Sequence, residues 1–203
     1  MIWHNVEQNS DDWFSLRLGK ATASNFGIIM ANEGKAFGEP AKKYALQIAL
    51  ERATGKKAEF SFSNEHMERG QAQEPIARML YESEKFVQVT NGGFFDCGMY
   101  GASPDGIVCE NGLIEIKSVI ATTHYSTMKR ESFDPSYKWQ IVGHLMCSGL
   151  DYVDFCSYCS DFPEDSQLIV HRVFGDDIKE EKNRLNARLS EFLDMVDSIR
   201  CDF

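Results

Sequence analysis

Gly101-Ala-Ser-Pro-Asp105-Gly-Ile-Val-Cys-Glu-Asn-Gly-Leu-Ile-Glu115-Ile-Lys117 reads as a hairpin carrying three charges of possible chemical use. Met99 to Cys109 and Leu113 to Val119 read as strands joined around Asn111-Gly112, a dipeptide that favours tight hairpin turns. Glu115 and Lys117, two apart, share one face, whereas Ile114 and Ile116 point to the other, into apolar packing. Asp105 follows a Ser-Pro turn, and the hairpin folds it back toward Glu115 and Lys117.

Two carboxylates brought to about 4 Å repel by about 4 kcal/mol at an effective dielectric near 20. They must share a proton, pair with Lys117 or bind a cation. Hard oxygen donors with no histidine nearby in the sequence suit Mg²⁺ or Mn²⁺ rather than Zn²⁺. Asp105, Glu115 and the backbone carbonyl of Ile116 would supply half a coordination shell. Lys117 would stand beside a bound water, to orient it or take its proton. This is the layout of metal-assisted phosphodiester hydrolysis. The same residues read equally as a plain turn and an exposed strand face, and spacing alone leaves both open.

Around this hairpin the chain alternates helices and strands. Asp11 to Leu18 is a short helix stopped by Gly19, and Ser24 is placed to cap a second over Asn25 to Ala31. Pro40 to Thr54 and Asn64 to Ser83 are helical, the latter kinked or broken at Pro75. Val87 to Phe95 is a strand. Asp134 and Pro135 open a helix running to Ser148, with Gly149 behind it. Tyr152 to Cys159 and Gln167 to Phe174 are strands. Asp177 to Ile199 is amphipathic, with Leu185, Leu189, Phe192, Val196 and Ile199 on one stripe. The pattern predicts an α/β class: a central mixed β-sheet flanked by α-helices.

The 203 residues suffice for one domain with a substantial core. Composition is globular, with 43% hydrophobic and 26% charged residues. A net charge of −10 argues against coating nucleic acid by bulk charge, so any phosphate site must be local. Between positions 34 and 57 six bases face two acids, whereas from 151 to 203 thirteen acids face six bases. The early bases read either as a solvated helix face or as a surface for phosphate. With no signal peptide and no spanning segment in the sequence, a soluble protein of the cytoplasm, bacterial or phage-infected, is expected. Cys156 and Cys159 sit three apart on a strand, so they face opposite ways and suit neither a shared metal nor a disulfide.

Pro104-Asp105, nine residues, then Glu115-Ile116-Lys117 resembles the PD-(D/E)xK nuclease signature. Four ordered blocks extend the resemblance to the phage lambda-type alkaline exonucleases, or YqaJ-like viral recombinases. These are Trp13-x-x-x-Arg17-x-Gly19 with Thr22-Ala23-Ser24; Gly70-x-x-x-Glu74; Ser103-Pro104-Asp105-Gly106 with Glu115-Ile116-Lys117; and Gln140 followed by Gly149. The resemblance covers roughly residues 13–149 and implies a restriction-endonuclease-like core. One nuclease domain would span 1–203, with helices of 11–54 lining a DNA channel, the catalytic core at 60–175 and a closing helix at 177–199.

The resemblance implies that Asp105 and Glu115 hold Mg²⁺ or Mn²⁺, that Lys117 is the catalytic lysine and that Glu74 adds a carboxylate. It also implies a glutamine at 140 near the site. Such enzymes often place a second glutamine two residues later, where this chain has Val142, so Gln140 is equally open to a packing role. Arg17, Thr22, Ser24 and Ser103 correspond to the pocket for a 5′-phosphate. A fork of guanidinium donors and a helix mouth suit that anion, although the residues alone read as well as an ordinary N-cap and a surface salt bridge. Met67, seven residues before Glu74, reads either as a wedge between strands or as a core methionine.

The expected function is 5′-to-3′ digestion of one strand of linear double-stranded DNA to mononucleotides, leaving a 3′ overhang for recombination. A ring-shaped homotrimer and a single-strand annealing protein are the implied partners. An endonuclease or junction resolvase on the same core, and a non-catalytic DNA-binding scaffold, are the alternatives.

Overall fold

The computed structural model describes residues 1–58 and 65–200, with the backbone alone at 65–68, 71 and 200. The strands are β1 (Ile2–His4), β2 (Ala21–Thr22), β3 (Val89–Thr90), β4 (Phe94–Asp96), β5 (Tyr100–Ala102), β6 (Gly106–Val108), β7 (Gly112–Ser118), β8 (Tyr152–Tyr158) and β9 (Leu168–Phe174). The helices are α1 (Asp11–Arg17), α2 (Phe26–Met30), α3 (Glu39–Thr54), α4 (Glu65–Lys85), α5 (Ala121–Arg130), α6 (Lys138–Ser148) and α7 (Lys179–Arg200).

Two sheets form rather than one. The larger has the order β3-β6-β7-β8-β9 and is mixed, because β7 and β8 run parallel while the other pairs are antiparallel. The smaller has the order β1-β4-β5-β2. Each strand expected over 87–95 and 99–109 is therefore divided between the sheets. The first breaks at Asn91-Gly92-Gly93 and the second at Ser103-Pro104-Asp105. The two breaks touch: a Cβ on Gly92 would lie 1.9 Å from the Pro104 carbonyl oxygen, so only glycine fits there. Asp105 thus stands at the seam between the sheets.

The larger sheet is covered on both faces. Leu113, Val153 and Phe155 pack with α2, α3, α6 and α7, including the buried stripe Leu185, Leu189, Phe192 and Val196. Ile114, Ile116 and Cys156 pack on the other face with Ala77 and Tyr81 of α4. Each fully buried aliphatic or aromatic side chain contributes roughly 1.5–3 kcal/mol. All seven residues of β8 are buried, as a central strand between two helical layers requires. Cys156 and Cys159 are both buried and unbridged.

Several local features differ from expectation. The β6–β7 hairpin turns at Cys109 and Glu110, both with left-handed backbone, and Gly112 already pairs with Val108. Gly112 is needed instead for packing, since a Cβ there would lie 2.1 Å from the Tyr152 ring. α4 continues through Pro75 rather than breaking. Pro75 is exposed, so water can serve the carbonyl its missing N–H leaves unpaired. Ser24 does not cap a helix: it lies inside a 3-10 turn, Ala23–Asn25, that precedes α2.

One buried polar cluster ties α4 to the sheet. Asp154 on β8 accepts from the Tyr81 hydroxyl at 2.5 Å and from the Arg172 guanidinium at 2.8 Å through each oxygen. Asp154→Ala strands the buried Tyr81 hydroxyl and removes a bidentate pair. A loss of about 3 kcal/mol in urea unfolding is expected. A change below about 0.5 kcal/mol would show that the cluster contributes nothing.

Candidate active site

The alternation of β7 sets the site. Leu113, Glu115 and Lys117 face α6, while Ile114 and Ile116 face α4. β6 ends at Gly106, opposite Ile114, so the next stretch of β7 has no neighbour on that edge. Asp105 fills the gap. Its N–H donates to the Ile114 carbonyl at 3.0 Å, and its Oδ2 accepts from the Ile116 N–H at 2.6 Å. In a strand the N–H and C=O of one residue point to the same edge. The Ile116 carbonyl therefore lies on the edge that Asp105 occupies.

Glu115 is 1% exposed and fully partnered. Its Oε1 takes the Lys117 ammonium at 2.6 Å and the Gln140 amide at 2.5 Å, and its Oε2 faces His144 Nε2 at 2.7 Å. Burial pushes the Glu115 carboxyl upward, but Lys117 and His144 outweigh it and hold it at about 2. Asp105 goes the other way: burial first, then the charges of Glu115 and Glu74, raise its pKa well above the usual carboxylate range. Glu74 on α4 is also raised, by burial and by Glu115. Against its own burial, the Lys117 ammonium is held charged by Glu115 and Asp105.

The structure thus brings Asp105, Glu115, Lys117 and Gln140 together and places Glu74 within electrostatic reach. Val142 is buried in the core, and the second residue of α6 that meets Glu115 is His144 instead. His144 is 1% exposed, and its Nδ1 has no hydrogen-bond partner among the described residues. Sequence reading missed it, although it lies four residues after Gln140 on the same helix face.

The donor set fits a hard divalent cation. Among the described residues no three His, Cys, Asp or Glu side chains close around a point. An ion here would take two carboxylates and the Ile116 carbonyl, leaving the rest of its shell to water and substrate, which is how Mg²⁺ is usually held. Asp105 and Glu74, both strained by like charge, are the groups a cation would relieve.

Beside the site lies a cavity of about 500 Å³ lined by Trp13, Arg17, Lys20, Thr22, Asn25 and Tyr44 among others. Arg17 stacks 4.0 Å from the Trp13 ring centroid and donates to Ser103 Oγ at 3.0 Å, and the Trp13 indole N–H donates to the same oxygen at 2.9 Å. Burial lowers the Arg17 pKa to about 10, so the guanidinium stays charged at neutral pH. Among the described residues no carboxylate pairs with it. A half-buried cation without a carboxylate partner is a favourable place for an anion.

Thr22 is buried, its Oγ1 3.3 Å from that of Ser24, which is exposed. The helix-mouth rationale fails, because α2 has five residues and Thr22 makes no cap. The side chain of Met67 lies outside the described residues. Of the early bases, Arg52 turns inward to the Gly19 carbonyl at 2.7 Å and to Asp197 at 2.9 Å, while Lys35, Lys43 and Lys56 are exposed.

Solved structures match almost the whole chain. The alkaline exonuclease LHK-Exo from Laribacter hongkongensis is 32% identical with a TM-score of 0.80, over 95% of this chain and 97% of that one. LHK-Exo in complex with dAMP gives 33% identity and a TM-score of 0.81 over the same shares. A phage-related exonuclease from Haemophilus somnus 129PT, 14% identical with a TM-score of 0.72 over 90% and 96% of the two chains, shares the fold. No curated protein sequence matches. The fold is the restriction-endonuclease-like one of the alkaline exonucleases. Residues 12–151 match the YqaJ-like viral recombinase domain, and with the site at the seam of the two sheets the chain belongs to that family.

Proposed function

We propose that this protein is a Mg²⁺- or Mn²⁺-dependent exonuclease. It digests one strand of linear double-stranded DNA from 5′ to 3′ into mononucleotides and leaves a 3′ overhang for phage-type recombination. The observation that carries the reading is the joining of two sites through three consecutive residues. Ser103 receives Arg17, which lines the cavity with Lys20 and Lys57 alongside Asp11 and Glu51, and Asp105 enters the carboxylate cluster. A terminal phosphate held by Arg17 would lie next to the carboxylate cluster, which suits removal of one terminal unit at a time.

Asp105, Glu115 and the Ile116 carbonyl would hold the ion, with Glu74 as a further carboxylate. Bound there, a divalent ion supplies charge stabilisation and a nucleophilic water at neutral pH. Lys117 holds a charged ammonium beside the scissile phosphate. Gln140 and His144 fix the rotamer of Glu115, a role that partners of ligating carboxylates commonly fill. Arg17 binds the 5′-phosphate, with Ser103, Thr22 and Ser24 around it. The resemblance extends this reading to a ring-shaped homotrimer in the cytoplasm, working with an annealing protein. Among the described residues no helix is long and apolar enough to cross a membrane.

The direct test compares linear duplex with closed circular duplex, each with Mg²⁺ and with a chelator. Digestion of the linear form alone, abolished by chelation, is the expected result. Cleavage of the circle would replace this reading with an endonuclease. Binding without cleavage of either would leave a scaffold. His144→Ala should raise the Mg²⁺ concentration giving half-maximal rate by about ten- to a hundredfold. An unchanged Mg²⁺ titration in a variant with wild-type urea midpoint would remove His144 from the site.

A further inference from the structure

Two cysteines outside the site lie against each other. Cys97 follows β4 at the tight turn into β5, closed by its own N–H donating to the Tyr100 carbonyl at 2.9 Å. Cys147 lies in the last turn of α6. The Cys97 thiol donates to the Cys147 backbone carbonyl at 3.7 Å, which sets the two residues against each other. Cys147 is buried, but Cys97 is only half-buried, so solvent reaches one sulfur of the pair. Gly98, next in the turn, has open space around its Cα, which leaves the turn room to move as the sulfurs approach.

We propose that Cys97 and Cys147 form a reversible intrachain disulfide, with Cys97 as the point of entry for a small disulfide such as oxidised glutathione. The Cys97 thiolate attacks one glutathione sulfur and expels the other as a thiolate, which takes up a proton. The Cys147 sulfur then gives up its proton, attacks the Cys97 sulfur of the mixed disulfide and releases the second glutathione. Two protein thiols are oxidised to one disulfide, and one glutathione disulfide is reduced to two thiols.

The exposures match the two roles. Half-buried Cys97 is the sulfur that a small disulfide in solution can reach first. Buried Cys147 can follow only from within the protein, once its neighbour carries the mixed disulfide. The bridge would staple the helix that carries Gln140 and His144 to the hairpin whose second strand runs into Ser103 and Asp105. The inference does not depend on the proposed activity.

The test treats the full-length protein with oxidised glutathione under native conditions, blocks remaining thiols by alkylation and maps the peptides by mass spectrometry. Exposed Cys109 serves as the internal control for glutathione reactivity. In wild type, Cys97 and Cys147 should appear as one cross-linked peptide, lighter by two hydrogens and restored by dithiothreitol. Cys147→Ser should trap glutathione on Cys97, and Cys97→Ser should leave Cys147 reduced. The wild-type map is decisive even if a variant folds poorly. Glutathione retained on Cys97, both cysteines reduced while Cys109 is modified, or Cys147 bridged elsewhere would each overturn the proposal.

Discussion

Lys117→Ala should lower the rate of linear duplex digestion by about a thousandfold while leaving duplex binding within a few-fold of wild type. A positioned group that handles a proton or a developing charge in the transition state contributes about 10²–10⁴. Lys117 also neutralises Glu115 at 2.6 Å, so alanine leaves that buried carboxylate with Gln140 and His144 alone. The variant should therefore lose some stability as well. Lys117→Arg separates the two effects: the charge on Glu115 returns, but the wide guanidinium cannot reproduce the compact ammonium. Restored stability without restored rate is the expected pattern. Full activity in Lys117→Ala would remove the lysine from the chemistry.

Arg17→Ala should slow digestion of 5′-phosphorylated duplex by about ten- to a hundredfold, since hydrogen bonds to a charged group contribute about 1.5–3 kcal/mol. A 5′-hydroxyl duplex should be digested by wild type and variant at nearly the same rate. The ratio between the substrates matters more than either rate. Arg17 also stacks on Trp13 and donates to Ser103, so general disturbance of the pocket would slow both substrates alike. Equal losses would mean that the cavity positions the protein fold and not the DNA end.

The carboxylates and lysine were legible because their geometry is local. Alternation along β7 and one hairpin suffice to place Asp105, Glu115 and Lys117 on a common face. His144 was hidden although its helical spacing from Gln140 was in plain view. Nothing in a sequence distinguishes a buried histidine aimed at a carboxylate from one that fills the core. The divided strands were hidden for a different reason. A segment that passes from one sheet to another keeps its apolar alternation, and the Gly92–Pro104 contact that permits the passage is made only in three dimensions. Arg52 was misread with the lysines around it, because its partners Gly19 and Asp197 lie far away in the chain.

The parallel pairing of β7 with β8 has a consequence for the order in which the protein assembles. The hairpin of β6 and β7 needs only neighbouring residues, whereas Gln140 and His144 arrive on a helix within the long crossover that parallel strands demand. Contacts between distant residues form late, because the chain must first surrender the entropy of closing the loop. On that ground the hairpin that carries Glu115 and Lys117 is expected to form before Gln140 and His144 dock on it.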